Sequence, residues 1–186
     1  MLCIAIRLVL VLISLFLCSF ARLGSAQSAS ASSAGASVTT EETQIGAWLL
    51  HCVTMGEEER NCALIIGIFN SLEQRELGLL RIFPVAPEDK VGNETFAAQL
   101  STPTHVLLRE QVTIQVDQQL IKQIDYEICS YNQCITTFAI SSALQTAFSE
   151  GFNGTIRLVD ASGQEQLLDF ALEGFARGLS LLEESI

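Results

Sequence analysis

Apolar residues occupy every second position in residues 112–117 (VTIQVD) and again in 124–129 (IDYEIC). Successive side chains on a strand point to opposite faces, so this spacing predicts strands with one buried and one wet face. Residues 45–53 (IGAWLLHCV) and 62–69 (CALIIGIF) are short apolar runs, and the charged connector GEEERN between them predicts a hairpin. Further strands are expected over 77–83, stopped by Pro84 and Pro87, and over 135–140. Residues 156–159 and 167–172 predict another hairpin, turning at Asp160-Ala161-Ser162-Gly163. Residues 90–104 are polar and weakly patterned and read as a long loop.

Two short helices interrupt this pattern. Ser141 or Ser142 can cap a helix in which Leu144, Ala147 and Phe148 share a face and which Gly151 ends. Near the C-terminus, Phe175, Leu179 and Leu182 have helical spacing. Long helical crossovers, which parallel strands need, are missing. The fold class expected is therefore all-β, mainly antiparallel, a two-layer β-sandwich of roughly eight strands with two short helices, stapled by disulfides.

The N-terminus follows a different logic. Residues 8–21 carry no charge, Arg7 precedes them, and Gly24-Ser25-Ala26 follows. A basic residue, a short apolar run and small residues before a cut describe a secretory signal peptide over residues 1–26. The rival reading is an uncleaved anchor over residues 2–21, although the run is shorter than the roughly 20 residues that span a bilayer. Residues 27–44 are rich in Ser, Ala and Thr and read as a disordered spacer, so the folded domain is expected over 45–186.

Charge narrows the partners. The 186-residue chain carries 10 Lys and Arg against 21 Asp and Glu, a net charge of -11, which becomes -13 once Arg7 and Arg22 leave with the signal peptide. So acidic a surface argues against nucleic acid, whose binding needs clustered cations, and against a polybasic membrane dock. Cleavage also removes Cys3 and Cys18 and leaves Cys52, Cys62, Cys129 and Cys134. An even number of cysteines in an exported chain reads as a disulfide framework. Four cysteines allow three pairings. The local one, Cys52 with Cys62 and Cys129 with Cys134, fits because each pair brackets one expected turn.

These residues together resemble the invasion-associated locus B family of exported Gram-negative proteins. The resemblance rests on W-x-x-x-C (Trp48 to Cys52), on a β-rich stretch ending at Cys129-Ser130-Tyr131-Asn132-Gln133-Cys134, and on the closing Leu172-Glu173-Gly174-Phe175 before a short helix. It covers residues 45–182. The chain departs from the family at Gln133, where glycine is usual, and at Pro103-Thr104-His105-Val106, where the family favours Pro-x-Gly. The resemblance implies a β-sandwich in the periplasm, with outer-membrane association or secretion as alternatives. It also implies host-cell interaction in some pathogens, and it brings no catalytic residues.

Searching for chemistry gives the same direction. The two histidines, His51 and His105, have no nucleophile beside them in a recognisable motif. A G-x-S-x-G elbow, H-E-x-x-H, a Walker A loop and G-x-G-x-x-G are all absent. Glu57-Glu58-Glu59 reads as a solvated turn rather than a calcium loop, and Trp48 as core. No cofactor and no metal are expected. The function expected is non-enzymatic binding of a protein or envelope component through a loop or sheet edge. The 90–104 loop is the candidate surface, and oligomeric state is left open. A hydrolase with a carboxylate-based site and a small-molecule carrier are the alternatives.

Overall fold

Apolar residues at every second position recur along the sequence between turn residues, and eleven strands form among the described residues. The computed structural model describes residues 37–56, 59–70, 72–86 and 94–185. In chain order the strands are β1 (Val38–Ile45), β2 (Trp48–Met55), β3 (Glu59–Asn70), β4 (Arg75–Pro84), β5 (Phe96–Thr102), β6 (Val112–Val116), β7 (Gln119–Ile124), β8 (Ile128–Cys129), β9 (Cys134–Ala139), β10 (Asn153–Val159) and β11 (Glu165–Ala171). Helix α1 (Ser142–Glu150) lies between β9 and β10, and α2 (Phe175–Glu183) follows β11. The expected signal peptide and the spacer up to residue 36 lie outside the described residues.

Every strand pairing is antiparallel. One stack runs β1-β2-β3-β4-β5-β9-β8 and the other β7-β6-β10-β11. A single register pair, Phe69 on β3 with Asp169 on β11, joins them. The two-layer reading of the sequence therefore describes the architecture, as two stacks sharing one seam.

The core lies where the stacks face each other. Trp48 of β2, Phe148 of α1, Phe170 of β11 and Phe175 of α2 are buried and form a closed ring of aromatic contacts. Trp48 meets Phe175 at 5.3 Å and Phe170 at 6.4 Å between centroids, and Phe148 meets the same two rings at 5.2 and 5.7 Å. Three of the four pairs are edge-on, the geometry the ring quadrupole favours, and each contributes about 0.5–1.5 kcal/mol beyond area burial. The Trp48 Nε1 proton is buried without a partner, so that residue is held by the packing of its rings. Ser141 caps α1, its Oγ accepting from the Leu144 N–H at 3.3 Å, and Gly151 ends the helix.

The structure corrects the sequence reading in four places. Residues 38–44, expected as spacer, belong to β1, a strand exposed along seven of its eight residues. Its polarity on both faces hid it from a search for apolar alternation. Residues 96–102, expected as loop, form β5 between β4 and β9, with Phe96, Ala98, Leu100 and Thr102 buried. That alternation was masked by the small size of alanine and the hydroxyl of threonine. Residues 119–124 form β7, entered through a two-residue turn in which Asp117 (φ 47°) and Gln118 (φ 69°) are both left-handed. Such primed turns usually carry Asn-Gly or Asp-Gly, so Asp-Gln gave no signal. The expected 124–129 strand is broken, because only Ile128 and Cys129 pair with β9, and Ile128 is exposed.

Gly174 closes the fold. It sits at φ +91° at the start of α2, and a Cβ there would collide with the Ile45 carbonyl oxygen. Opposite it is Gly46 (φ +61°), where a Cβ would collide with the Glu173 carbonyl. The Ala47 N–H donates to that same carbonyl at 3.0 Å. The two backbones therefore touch at a point where only glycine fits. Gly174→Ala should cost about 2 kcal/mol or more in urea denaturation. Gly163→Ala, at φ +83° but in open space, should cost about 1 kcal/mol, leaving the backbone collision as the difference.

Candidate functional site

The four cysteines are the first residues to place. Cys52 and Cys62 face each other across β2 and β3 and are joined by a disulfide, with Cα atoms 4.0 Å apart and both residues buried. Cys129 and Cys134 are likewise paired across β8 and β9 and bonded, again with Cα atoms 4.0 Å apart. The local pairing is the one formed. In the chain-entropy account each such short loop contributes roughly 2–3 kcal/mol.

The second disulfide holds a loop out into solvent. Between its cysteines, the Ser130 N–H donates to the Gln133 carbonyl at 2.8 Å and the Ser130 hydroxyl donates to Asn132 Oδ1 at 2.6 Å. Tyr131 stands at the tip, 94% exposed, and Ile128 beside the strand is 62% exposed. An aromatic residue on a pinned loop loses little conformational freedom when it binds, which makes it an effective anchor for a partner.

A cleft of about 240 Å³ opens beside the seam between the two stacks. Its floor includes Leu77, Leu158 and Leu168, and its rim carries Arg75, His105 and Asp160. Three connections converge on it. The β3–β4 turn is built on Asn70, whose Oδ1 accepts from the N–H groups of Leu72 (3.0 Å) and Glu73 (3.1 Å). The segment after β5 holds His105 in a left-handed conformation at φ 67°, its carbonyl accepting from the Ala161 N–H at 2.6 Å. The β10–β11 turn is organised by Asp160. Its carboxylate accepts from the Ser162 hydroxyl (2.6 Å), the Gln164 N–H (3.0 Å), the Ser162 N–H (2.9 Å) and Gln166 Nε2 (3.1 Å). Those bonds, the Ser162 hydroxyl foremost, hold its pKa down at about 2.

Elsewhere the ionisable groups serve the sheet. Arg157 and Glu165 form an ion pair across the β10–β11 hairpin, which raises the Arg157 pKa and lowers that of Glu165. Burial raises the Tyr126 pKa, partly offset by the Thr102 hydroxyl. His51 Nδ1 lies 3.1 Å from the Glu42 carboxylate on β1, and His105 Nδ1 lies 2.9 Å from the Thr104 hydroxyl. The four described cysteines are bonded in pairs, so none of them offers a free thiol to either histidine. Among the described residues, no group of three or more His, Cys, Asp or Glu could hold a metal ion. Of the 90–104 candidate loop, only residues 94–95 and 103–104 lie outside β5 among the described residues.

The family model for "Invasion associated locus B (IalB) protein" matches residues 48–183. The chain belongs to the invasion-associated locus B family. A crystal structure of the invasion associated protein B from Bartonella henselae has the same fold. The TM-score is 0.60 and the identity 18%, over 77% of this chain and 96% of that one. No curated protein matches the chain.

The residues by which the chain resembles the IalB family now have structural reasons. Trp48 and Cys52 point from β2 into the core, one into the aromatic ring of contacts and the other into a disulfide. Cys129 and Cys134 pin the Tyr131 loop. Gly174 permits the backbone contact with Gly46, and Phe175 completes the aromatic ring. Sequence reasoning missed the seam cleft, because its residues come from three separate connections. Only the Asp160 turn carried a local signal.

The Asp160 bonds have a measurable consequence. A carboxylate whose pKa is lowered on folding stabilises the fold above its ordinary value near 3.8, and that contribution disappears as the pH falls towards about 2. An NMR titration should find Asp160 ionising near 2, and Ser162→Ala should move it upward. An unchanged value in that variant would remove the Ser162 hydroxyl as the main cause.

Proposed function

We propose that the chain is an exported, non-enzymatic envelope protein that binds another protein or a surface component, with the pinned Tyr131 loop as a principal contact. The observation that carries this is the 94% exposure of an aromatic side chain on a loop closed by a disulfide. An unconstrained exposed tyrosine would lose more conformational freedom on binding. Two disulfides in a chain of this size suit an oxidising compartment, and the signal-peptide pattern at residues 1–26 agrees with export to the periplasm.

Support also comes from what the described residues offer. No described helix is long and apolar enough to cross a membrane. The net charge of -11 favours partners with neutral or basic surfaces and disfavours nucleic acid. The Bartonella protein's name associates that protein with invasion, which agrees with a role in binding at a surface.

A photoreactive phenylalanine analogue in place of Tyr131, illuminated in the native cell envelope, should give a crosslinked product with one identifiable protein. That protein, purified, should bind Tyr131→Ala at least about ten-fold more weakly than the wild type. The variant's stability should change by less than about 0.5 kcal/mol, because the side chain is exposed. Equal affinity for both, or no crosslinked product, would contradict the proposal.

A further inference from the structure

Strand β1 is unusual among edge strands. It pairs with β2 along eight residues, and among the described residues nothing pairs with its other side. Proteins normally protect such an edge with charged side chains, lysine above all, or with proline, a bulge or a very short strand, and the charges on this one are the carboxylates of Glu41 and Glu42. The sequence VTTEETQI has no lysine and no proline, and the β1–β2 register runs without a shift. Three threonines and a valine give it high strand propensity.

The direction of its free backbone groups can be worked out. The 4.0 Å Cα separation of Cys52 and Cys62 marks the close, non-hydrogen-bonded kind of antiparallel pair. The backbone groups of Cys52 therefore point away from β3, towards Glu41, its register partner on β1. A second observation agrees, since the Gly56 N–H donates to the Ser37 carbonyl at 3.0 Å. Odd-numbered residues of β1 thus bond inward to β2. The N–H and C=O groups of Thr40, Glu42 and Gln44 face the open edge.

Charge then selects the occupant. Glu41 and Glu42 lie at the centre of the strand, and their side chains remain 67% and 57% exposed although Arg60 and His51 contact them. Opposed residues of an antiparallel pair both aim their backbone groups at the shared edge or both away from it, so two copies paired about the middle of β1 would set Glu42 opposite Glu42 or Glu41 opposite Glu41. Like charges directly opposed destabilise a strand pair. A strand carrying lysine or arginine at those positions gains a favourable pair and the long-range attraction of a chain with net charge -11.

We infer that the free edge of β1 accepts an extended, cationic segment of a partner protein, which adds to the sheet as a further antiparallel strand. This rests on the reading of the chain as a binding protein, but not on the Tyr131 loop, which lies with β8 at the other end of the same stack.

The probe is the eight-residue peptide VTTKKTQI, the sequence of β1 with lysine for both glutamates, and its control is VTTEETQI. The purified protein should bind the lysine peptide at least about ten-fold more tightly than the control. Hydrogen exchange should slow at the N–H groups of Thr40, Glu42 and Gln44. Thr40→Pro removes an outward N–H without touching the β2 ladder and should abolish binding. Should that variant lose β1 altogether, the double substitution Glu41→Lys and Glu42→Lys provides the test, because it should reverse the peptide preference.

Equal binding of both peptides, or outward amides that gain no protection, would overturn the inference. Protection that rises with protein concentration in the absence of peptide would also overturn it, in favour of a second copy. If these fail while Tyr131 still crosslinks to a partner, only the role of β1 falls. If both fail, the reading of a binding protein falls with it.

Discussion

The ring formed by Trp48, Phe148, Phe170 and Phe175 is the contact on which the rest of the structure depends. Two β stacks that share one register pair, Phe69 with Asp169, have little backbone bonding to hold them together. The aromatic ring supplies what the ladder does not. It takes one side chain from β2 in the larger stack, one from β11 in the smaller, and one from each helix. The helices are short, and each depends on tertiary packing to bury its apolar face, to which the ring contributes Phe148 and Phe175.

The other fixed points clamp locally. The disulfides each tie neighbouring strands, and neither crosses from one stack to the other. The Gly46–Gly174 contact anchors the entrance to α2 against the β1–β2 turn, so that Phe175 reaches the ring. With the interior so committed, the surfaces left for partners are at the periphery. They are the Tyr131 loop, the seam cleft and the open edge of β1, and none of them contributes a side chain to the aromatic ring.

Much of this fold was legible in the sequence wherever one face of a strand is buried and the other wet. Strands β6, β10 and β11, the β2–β3 hairpin and the buried face of α2 followed from spacing, and the cap of α1 was narrowed to Ser141 or Ser142, of which the structure uses Ser141. Strand β5 did not, because alanine and threonine fill the buried positions that larger apolar residues usually mark. Strand β1 did not, because seven of its eight residues are exposed and it has no buried face until Ile45. The sequence marked residues 130–133 only as a turn between two cysteines, and the surface expected from it, the 90–104 stretch, is largely strand β5 among the described residues. The seam cleft was not legible, because proximity of Arg75, His105 and Asp160 is a property of topology and not of local sequence.

A double-mutant cycle between Trp48 and Phe170 tests the central claim most directly, since these two rings belong to different stacks. Trp48→Leu, Phe170→Leu and the double variant would each be unfolded in urea against the wild type. If the aromatic ring is the joint, the two losses are coupled by about 0.5–1.5 kcal/mol and each variant still unfolds in one transition. Additive losses would show that the stacks are held together elsewhere and would contradict the account.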